Sequence, residues 1–190
     1  YGGLKQLESI GPNGETILDF SVFDAIRAGF TRIVFVISKH FDVEFKQLVS
    51  GKYEHLVDVQ YVYQDIETLP MEKRNPKRTA LYGSVRAVLM GKDWISSPFG
   101  VINAVNFYQK ESFELLYNHL QMLGEADYDS CNICYRLANV LPESGGVTRG
   151  ICELDEDGYL KSVTDRLGVE RVGGLPMYPN EVHKWELLDE

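Results

Sequence analysis

Cysteine and histidine are scarce in this chain of 190 residues, which has 3 Cys and 4 His. An odd number of cysteines without framework spacing excludes a disulfide scaffold and favours a reducing compartment. Cys131 and Cys134 have CxxC spacing, but neither a second pair nor a nearby histidine completes a zinc site. The histidines likewise follow no acid–base or ligand spacing. Ordinary structural roles are therefore the favoured interpretation of both residue types.

An excess of positive charge and long apolar runs are also missing. The 19 Lys and Arg residues are outnumbered by 28 Asp and Glu, which gives a formal net charge of −9. Because an acidic surface repels a phosphate lattice, we expect no nucleic-acid partner. No apolar run approaches the roughly 18 residues of a membrane span, and no basic-then-apolar secretory signal opens the sequence. We therefore expect a cytoplasmic protein with no membrane partner.

What the sequence does contain is an alternation of helical and strand periodicity. Neither an internal repeat nor a low-complexity linker divides it, and its length suits one domain over residues 1–190. Thr16 predicts a helix start, with Asp19 three residues on, and Gly29 predicts the end of that helix. The other predicted helices cover 42–49, 82–91 and 110–123, and the predicted strands cover 32–37, 57–63, 99–103 and 130–137.

The periodicity changes near residue 150. Two alternating runs, Gly150–Leu154 and Tyr159–Val163, flank the turn-forming sequence at 155–158 and predict an antiparallel hairpin. The earlier, almost wholly apolar strands are typical of a parallel sheet that is covered on both faces. A mainly parallel sheet with an appended hairpin is therefore the expected architecture. The closing stretch from Gly173 to Glu190 gives no readable pattern.

A phosphate-handling loop is one interpretation of the first residues. Gly2 and Gly3 let backbone N–H groups approach a ligand without an intervening Cβ, and Lys5 adds a point charge suited to phosphate. The alternative is an ordinary turn, because glycine pairs serve turns more often than ligands. The choice between the two depends on the rest of the chain.

Polar residues follow several predicted strands, where ligands of open α/β sheets are bound. Gln64 carries an amide that can pair with a nucleobase edge, or it is simply a solvated loop glutamine. Gly83 and Ser84 open a helix, whose free N–H groups favour an anion or a base carbonyl, although a glycine is also tolerated in a first turn. Asn103 and Asn106 either orient a substrate or cap a turn.

Taken in order, these residues resemble the sugar-1-phosphate nucleotidyltransferases, the pyrophosphorylases that make nucleotide-diphosphate sugars on a GT-A-type fold. The resemblance runs from Tyr1 to about Arg171, and residues 1–6 look like the tail of the family's G-x-G-[ST]-R loop with the lysine that follows it. It implies an α/β fold of the Rossmann-like, three-layer kind. Helices would flank its mainly parallel central sheet, and an antiparallel hairpin would be appended.

The same resemblance implies roles for individual residues. Asp165 and Arg166 are similar to the Glu-Lys pair that holds the sugar and its phosphate, and Lys5 and Arg166 are the implied catalytic residues. The implied nucleotide-binding residues are Gly2, Gly3, Lys5, Gln64, Gly83 and Ser84. The implied substrate-binding residues are Asn103, Asn106, Gly150, Asp165 and Arg166.

The chain departs from the family pattern in two places. It begins after the first strand and most of the Gly-rich loop, so the predicted domain lacks both in this numbering. Where the family carries an aspartate for Mg²⁺, the run from Asn103 to Tyr108 reads Asn-Ala-Val-Asn-Phe-Tyr. An amide and a valine are poor replacements for a carboxylate ligand of a hard cation. The metal ligands are therefore unknown, although the resemblance implies Mg²⁺.

Two functions follow as expectations. The first is transfer of a nucleoside monophosphate from a nucleoside triphosphate to a sugar-1-phosphate, with release of pyrophosphate. The alternative is a catalytically impaired homologue that binds a nucleotide sugar or a sugar phosphate. A GT-A glycosyltransferase is disfavoured, since no Asp-x-Asp follows a predicted parallel strand. The sequence names neither the base nor the sugar, and it leaves assembly into a homo-oligomer open.

Overall fold

The computed structural model describes residues 8–48, 50–64, 83–124 and 129–188. The chain divides into two compact units, Tyr1–Cys131 and Asn132–Glu190, each with a hydrophobic core of its own. The single domain predicted over residues 1–190 stays a prediction. Within the described ranges, no helix is both long and apolar enough to cross a membrane.

The described part of the first unit contains four α-helices, three short 3-10 helices and two strands. The α-helices are α1 (Ile17–Ala28), α2 (Asp42–Leu48), α3 (Ser84–Met90) and α4 (Lys110–Met122), and the strands are β1 (Arg32–Ile37) and β2 (Asp58–Tyr63). The two strands pair in parallel, with Arg32 opposite Asp58 and Ile37 opposite Tyr63. Their shared core contains Leu18, Val22, Phe35 and Phe45. The predicted helix–strand alternation is confirmed from α1 to α3.

A buried carboxylate anchors the start of α1. Thr16 and Asp19 form a capping box: the Thr16 N–H donates to Asp19 Oδ2 at 2.7 Å, and the Asp19 N–H donates to Thr16 Oγ1 at 3.2 Å. Lys52 Nζ lies 3.2 Å from both Asp19 oxygens, and the Tyr53 hydroxyl also donates to Asp19. Asp19 is 6% exposed. The capping box predicted from the sequence is thus confirmed, and tertiary partners reinforce it.

These partners make the stability of the first unit dependent on pH. Burial alone would raise the pKa of Asp19, but hydrogen bonds from Thr16, Tyr53 and Lys52 outweigh it and hold the pKa below its usual value. A lowered native pKa stabilises the fold above the unfolded pKa of about 3.9, and this stabilisation is lost as the pH falls. Asp19→Asn should therefore lower the free energy of unfolding by about 2 kcal/mol at neutral pH. Urea denaturation measures the difference, which should shrink below about pH 4.

Asp24→Asn, on the same helix, is the matched control. Burial raises the pKa of Asp24, despite the nearby Arg27, so its ionised form adds little to stability at neutral pH. We expect this variant to lose less than about 0.5 kcal/mol. Equal losses of unfolding free energy for Asp19→Asn and Asp24→Asn would contradict a stabilising role of the hydrogen bonds to Asp19.

The second unit is built around one antiparallel sheet. Its strands are β3 (Val147–Leu154), β4 (Leu160–Val172), β5 (Leu175–Pro179) and β6 (Trp185–Leu187), in that spatial order, and a short helix, α5 (Leu137–Val140), precedes them. The predicted hairpin between β3 and β4 is confirmed. Asp155 Oδ1 accepts hydrogen bonds from the N–H groups of Asp157 and Tyr159 and closes the turn. The fully buried Val169 packs with Leu141 and Leu188 in the core.

The predicted fold class is wrong. In the described residues the parallel sheet has two strands, and the other four strands form a separate antiparallel sheet, so no mainly parallel, Rossmann-like three-layer sheet is present. Residues 99–103 are not a strand, and Val101 is 60% exposed. Residues 130–136 are irregular, and residue 137 begins α5. The apolar runs have the composition of strand interiors. A strand also needs a neighbouring strand for its backbone hydrogen bonds, and the periodicity of a sequence does not show whether that neighbour is present.

Candidate functional site

Gln64 lies where the two parallel strands end. Its N–H donates to the carbonyl of Ile37, the last residue of β1, at 2.8 Å. The residue is 7% exposed, which excludes the solvated loop glutamine considered from the sequence. Because ligands of parallel sheets are bound beyond the carboxyl ends of the strands, Gln64 is in the expected position for a base-reading amide. That role stays a prediction.

Gly83 and Ser84 are exposed at the beginning of α3. Gly83 is the N-cap residue in an extended conformation, and its carbonyl accepts from the N–H groups of Arg86 and Ala87. A Cβ at Gly83 would meet nothing within 4 Å. The geometry leaves room for a ligand, but it also suits an ordinary cap, so both alternatives from the sequence remain.

Asn103 and Asn106 come together in a tight polar turn. The Asn103 N–H donates to the Tyr108 hydroxyl at 2.9 Å, and Asn106 Nδ2 donates to the same oxygen at 3.4 Å. Asn103 Oδ1 also accepts from the Val105 N–H at 3.3 Å. Both amides thus stabilise the turn itself, which favours the capping alternative. The Tyr108 hydroxyl accepts both of these hydrogen bonds and so holds the turn together, a role that the sequence did not predict.

The donor set of this turn does not fit Mg²⁺. It offers amide and backbone oxygens without a carboxylate, whereas Mg²⁺ is normally held through one or two carboxylates. Across the described ranges, no group of three or more His, Cys, Asp or Glu residues could hold a metal ion. The Mg²⁺ expectation stays a prediction.

Gly150 and Asp165 are direct cross-strand partners in the second unit. A Cβ at Gly150 would lie 3.5 Å from Asp165 Oδ1 and 3.2 Å from Val163 Cγ1. The absence of a side chain at Gly150 therefore leaves space beside the Asp165 carboxylate. Both residues are exposed. The structure brings together two of the predicted substrate-binding residues, although they are well separated in the sequence.

Arg166 points to the other face of the sheet, because successive residues of a strand alternate. Its guanidinium carbon lies 4.5 Å from the centroid of the Tyr178 ring. The Tyr178 hydroxyl donates to Glu186 Oε2, and Asn180 Nδ2 donates to Glu186 Oε1 at 2.7 Å. These two bonds, with a smaller contribution from Arg166, lower the pKa of Glu186. The bond to Glu186 raises the pKa of Tyr178, so both groups keep their ordinary charges at neutral pH.

Asp165 and Arg166 lie beside an open stretch of β4. On the side away from β3, the described residues pair with β4 only over Glu170–Val172, through β5. A small molecule beside residues 165 and 166 would meet side chains from both faces of the strand. The Arg166 guanidinium lies over the Tyr178 ring, and this contact fixes the position of its N–H donors.

The other candidates lie elsewhere. Gly2, Gly3 and Lys5 are outside the described residues. A surface depression of about 600 Å³ is found at the amino ends of β1 and β2, opposite to the expected position, and is lined by Phe30 and Val57 together with the acidic Glu54 and Asp58. These carboxylates make it a poor site for a phosphate. Tyr178 and Glu186 were missed because they belong to the closing stretch.

The comparisons with known proteins do not give a family for this chain. Neither a comparison of the chain with models of protein families nor a search of curated proteins gives a match.

Proposed function

We propose that the chain is a sugar-1-phosphate nucleotidyltransferase. An oxygen of the sugar phosphate would attack the α-phosphorus of a nucleoside triphosphate, the bond to the β-phosphate would break, and pyrophosphate would leave. Such a transfer needs positioned charges and hydrogen-bond donors more than covalent help from the protein. The proposal includes a cytoplasmic location, where nucleoside triphosphates are available, and assembly into a homo-oligomer stays open.

The observation that carries this proposal is the arrangement around Asp165 and Arg166. An arginine held over an aromatic ring suits bidentate recognition of a phosphate. The open space at Gly150 beside the Asp165 carboxylate suits a sugar, whose hydroxyl groups donate to carboxylate oxygens. We assign the phosphate to Arg166 and the sugar to Gly150 and Asp165.

The nucleotide is assigned to a second set of residues. Buried Gln64 would read the base edge beside Gly83 and Ser84. Asn103 and Asn106 would orient the substrate, and the triphosphate is assigned to Lys5 with Gly2 and Gly3. These roles come from the resemblance seen in the sequence, and Gln64 has the support of its burial at the carboxyl ends of two parallel strands.

A second candidate function is binding without turnover. The amides at the turn from Asn103 to Tyr108 leave out the carboxylate that a transferase of this kind uses. A protein with this turn could retain a nucleotide sugar or a sugar phosphate without forming the new bond.

Pyrophosphate release by the purified full chain tests the choice. The assay combines the common nucleoside triphosphates with a panel of hexose-1-phosphates in Mg²⁺, and calorimetry measures binding of the same compounds. Release of pyrophosphate with any pair supports the transferase. Binding without release supports the second candidate, and the lack of both overturns the two proposals.

Introducing carboxylates at the turn should create a metal site. In the double variant Val105→Asp/Asn106→Asp, two carboxylates replace a valine and an amide, and hard cations prefer carboxylate oxygens. We expect at least a tenfold rise in Mg²⁺ affinity, measured by calorimetry without substrates. Val101→Asp/Ile102→Asp is a control in the same segment, because Val101 and Ile102 are exposed and the substitutions also add two carboxylates. Equal Mg²⁺ affinity in the control and the double variant would contradict a designed site at the turn.

A further inference from the structure

Strand β3 forms one edge of the antiparallel sheet in the second unit. In the described residues it pairs with β4 on one side, and no strand pairs with its other side. Both irregularities of the β3–β4 ladder place the extra residue in β4, so the backbone of β3 itself is regular. Thr148, Gly150 and Glu153 of this strand are exposed. A regular edge strand is a template for pairing with another strand.

Opposite charges are placed symmetrically on β3. Arg149 and Glu153 lie at equal distances on either side of Ile151, and all three side chains are on one face because strand residues alternate. A two-fold axis at Ile151 that pairs two copies of β3 in antiparallel fashion would put Arg149 opposite Glu153 of the second copy. The symmetry makes this charge pair occur twice. Opposite charges directly across two strands stabilise their pairing.

The surroundings of Arg149 favour an added carboxylate. Its cross-strand partner on β4 is another arginine, Arg166, and like charges directly opposite each other destabilise a sheet. Among the residues that the structure describes, no carboxylate forms an ion pair with Arg149. The Arg149 guanidinium donates to the carbonyl groups of Thr148 and Val140, and it has further N–H donors. A carboxylate at the outer edge of β3 would therefore offset the repulsion between the two arginines.

The carboxylate of Glu153 is accessible at the same edge. Its Oε2 accepts a hydrogen bond from Ser162 Oγ at 2.9 Å, and its Oε1 can accept from a second donor. Charges on an edge strand also serve to prevent pairing, since charges of one sign repel a second copy of the strand. The charges on β3 have opposite signs, so a second copy in the register centred on Ile151 is attracted.

We propose that the protein forms a homodimer in which β3 pairs in antiparallel fashion with β3 of a second copy, centred on Ile151. Arg149 of each copy then meets Glu153 of the other, and Gly150 lies opposite Cys152. The neighbouring registers lack this match. A centre at Gly150 puts Arg149 opposite Ile151, and a centre at Cys152 puts Glu153 opposite Ile151. The dimer joins the antiparallel sheets of the two copies into one continuous sheet.

Charge reversal tests the dimer. Analytical ultracentrifugation of the full chain over a concentration series gives the mass and the dissociation constant of the dimer. Arg149→Glu and Glu153→Arg each put like charges opposite each other in both pairs, so each should weaken the dimer by roughly tenfold or more. The double variant Arg149→Glu/Glu153→Arg again puts opposite charges together, and its dissociation constant should return to within about threefold of the original.

Glu156→Arg is the matched control. Glu156 is exposed in the turn that follows β3, and its substitution changes the net charge by the same amount as Glu153→Arg. The dissociation constant of this variant should remain within about twofold of the original. Circular dichroism checks folding. If Arg149→Glu, which loses the bond to Val140, fails to fold, the comparison of Glu153→Arg with Glu156→Arg still decides the question.

Three results would overturn the proposal. The first is a protein that stays monomeric over the whole concentration series. The second is a dimer that Glu153→Arg weakens no more than Glu156→Arg does. The third is a folded double variant that dimerises no more tightly than the single variants. Because the readout is the mass of the protein without ligand, its outcome is independent of nucleotide chemistry.

Discussion

Replacing Phe35 with alanine is expected to lower the free energy of unfolding by about 3 to 5 kcal/mol. Phe35 is 7% exposed in β1, and its ring packs edge-to-face on Phe45 with 5.1 Å between centroids. Truncation removes both the buried area and the aromatic contact, and it leaves a cavity that neighbouring strands fill only in part. Urea denaturation followed by far-ultraviolet circular dichroism measures the loss.

Phe23→Ala is the matched control for this prediction. Phe23 lies on α1 of the same unit, but it is 56% exposed. Its ring is in contact with the Arg27 guanidinium, 5.3 Å from the centroid, and such exposed contacts contribute about 0.5 to 1 kcal/mol. The control should therefore lose less than about 1 kcal/mol. A loss in Phe35→Ala no larger than that of Phe23→Ala would contradict a core centred on β1.

The second large effect is expected in ligand binding. Arg166→Ala should weaken the affinity for a sugar-1-phosphate by roughly a hundredfold, because two charge-assisted hydrogen bonds to the phosphate would be lost. Arg166→Lys keeps the charge but not the planar fork, so its affinity should be intermediate. Calorimetric titration with hexose-1-phosphates gives the three dissociation constants.

Arg149→Ala supplies the control for Arg166. Arg149 is the cross-strand partner of Arg166, so removing it changes the net charge equally, but its guanidinium is engaged with the Val140 carbonyl. We expect the affinity of this variant to remain within about threefold of the original, a difference of less than 1 kcal/mol. If Arg166→Ala and Arg149→Ala bind equally well, the phosphate does not depend on Arg166.

Local signals predicted several elements correctly. The capping box of Thr16 and Asp19 predicted the start of α1, and the apolar β-branched run at 32–37 predicted β1. The turn at 155–158 predicted the hairpin of β3 and β4. In each case the residues that determine the element are its own or its near neighbours, so the pattern contains the necessary information.

Sheet membership was not predictable in the same way. The apolar run at 99–103 has the composition of a buried strand, but whether it pairs depends on residues that are distant in the sequence. One local signal in the closing stretch was missed. Gly173 and Gly174 both have positive φ angles and join β4 to β5, with Val172 opposite Leu175. A two-residue Gly-Gly loop is a recognised hairpin signal, and it would have led to β5 and Tyr178.

The candidate site was predictable only in part. Strand alternation places Asp165 and Arg166 on opposite faces of β4, but the strand predicted from the sequence ended at Val163, before both residues. Pairing of Gly150 with Asp165 does not follow from the turn alone, because a register shift between Glu153 and Leu154 moves the partner of Gly150 by one residue. The burial of Gln64 and the contact of Arg166 with Tyr178 depend on packing between distant segments, which neither spacing nor composition contains.

One strand joins the two sides of the antiparallel sheet in the second unit. β4 is 13 residues long and pairs with β3 on one side and with β5 on the other, near its carboxyl end. Strands β3 and β5 therefore have no hydrogen bonds to each other, and the backbone of β4 joins them. If β4 separates from its neighbours by thermal motion, its pairings with β3 and β5 are lost together, whereas β6 can fray by itself. Local opening of this unit is thus expected to begin at its short outer strand and to become global only when β4 detaches.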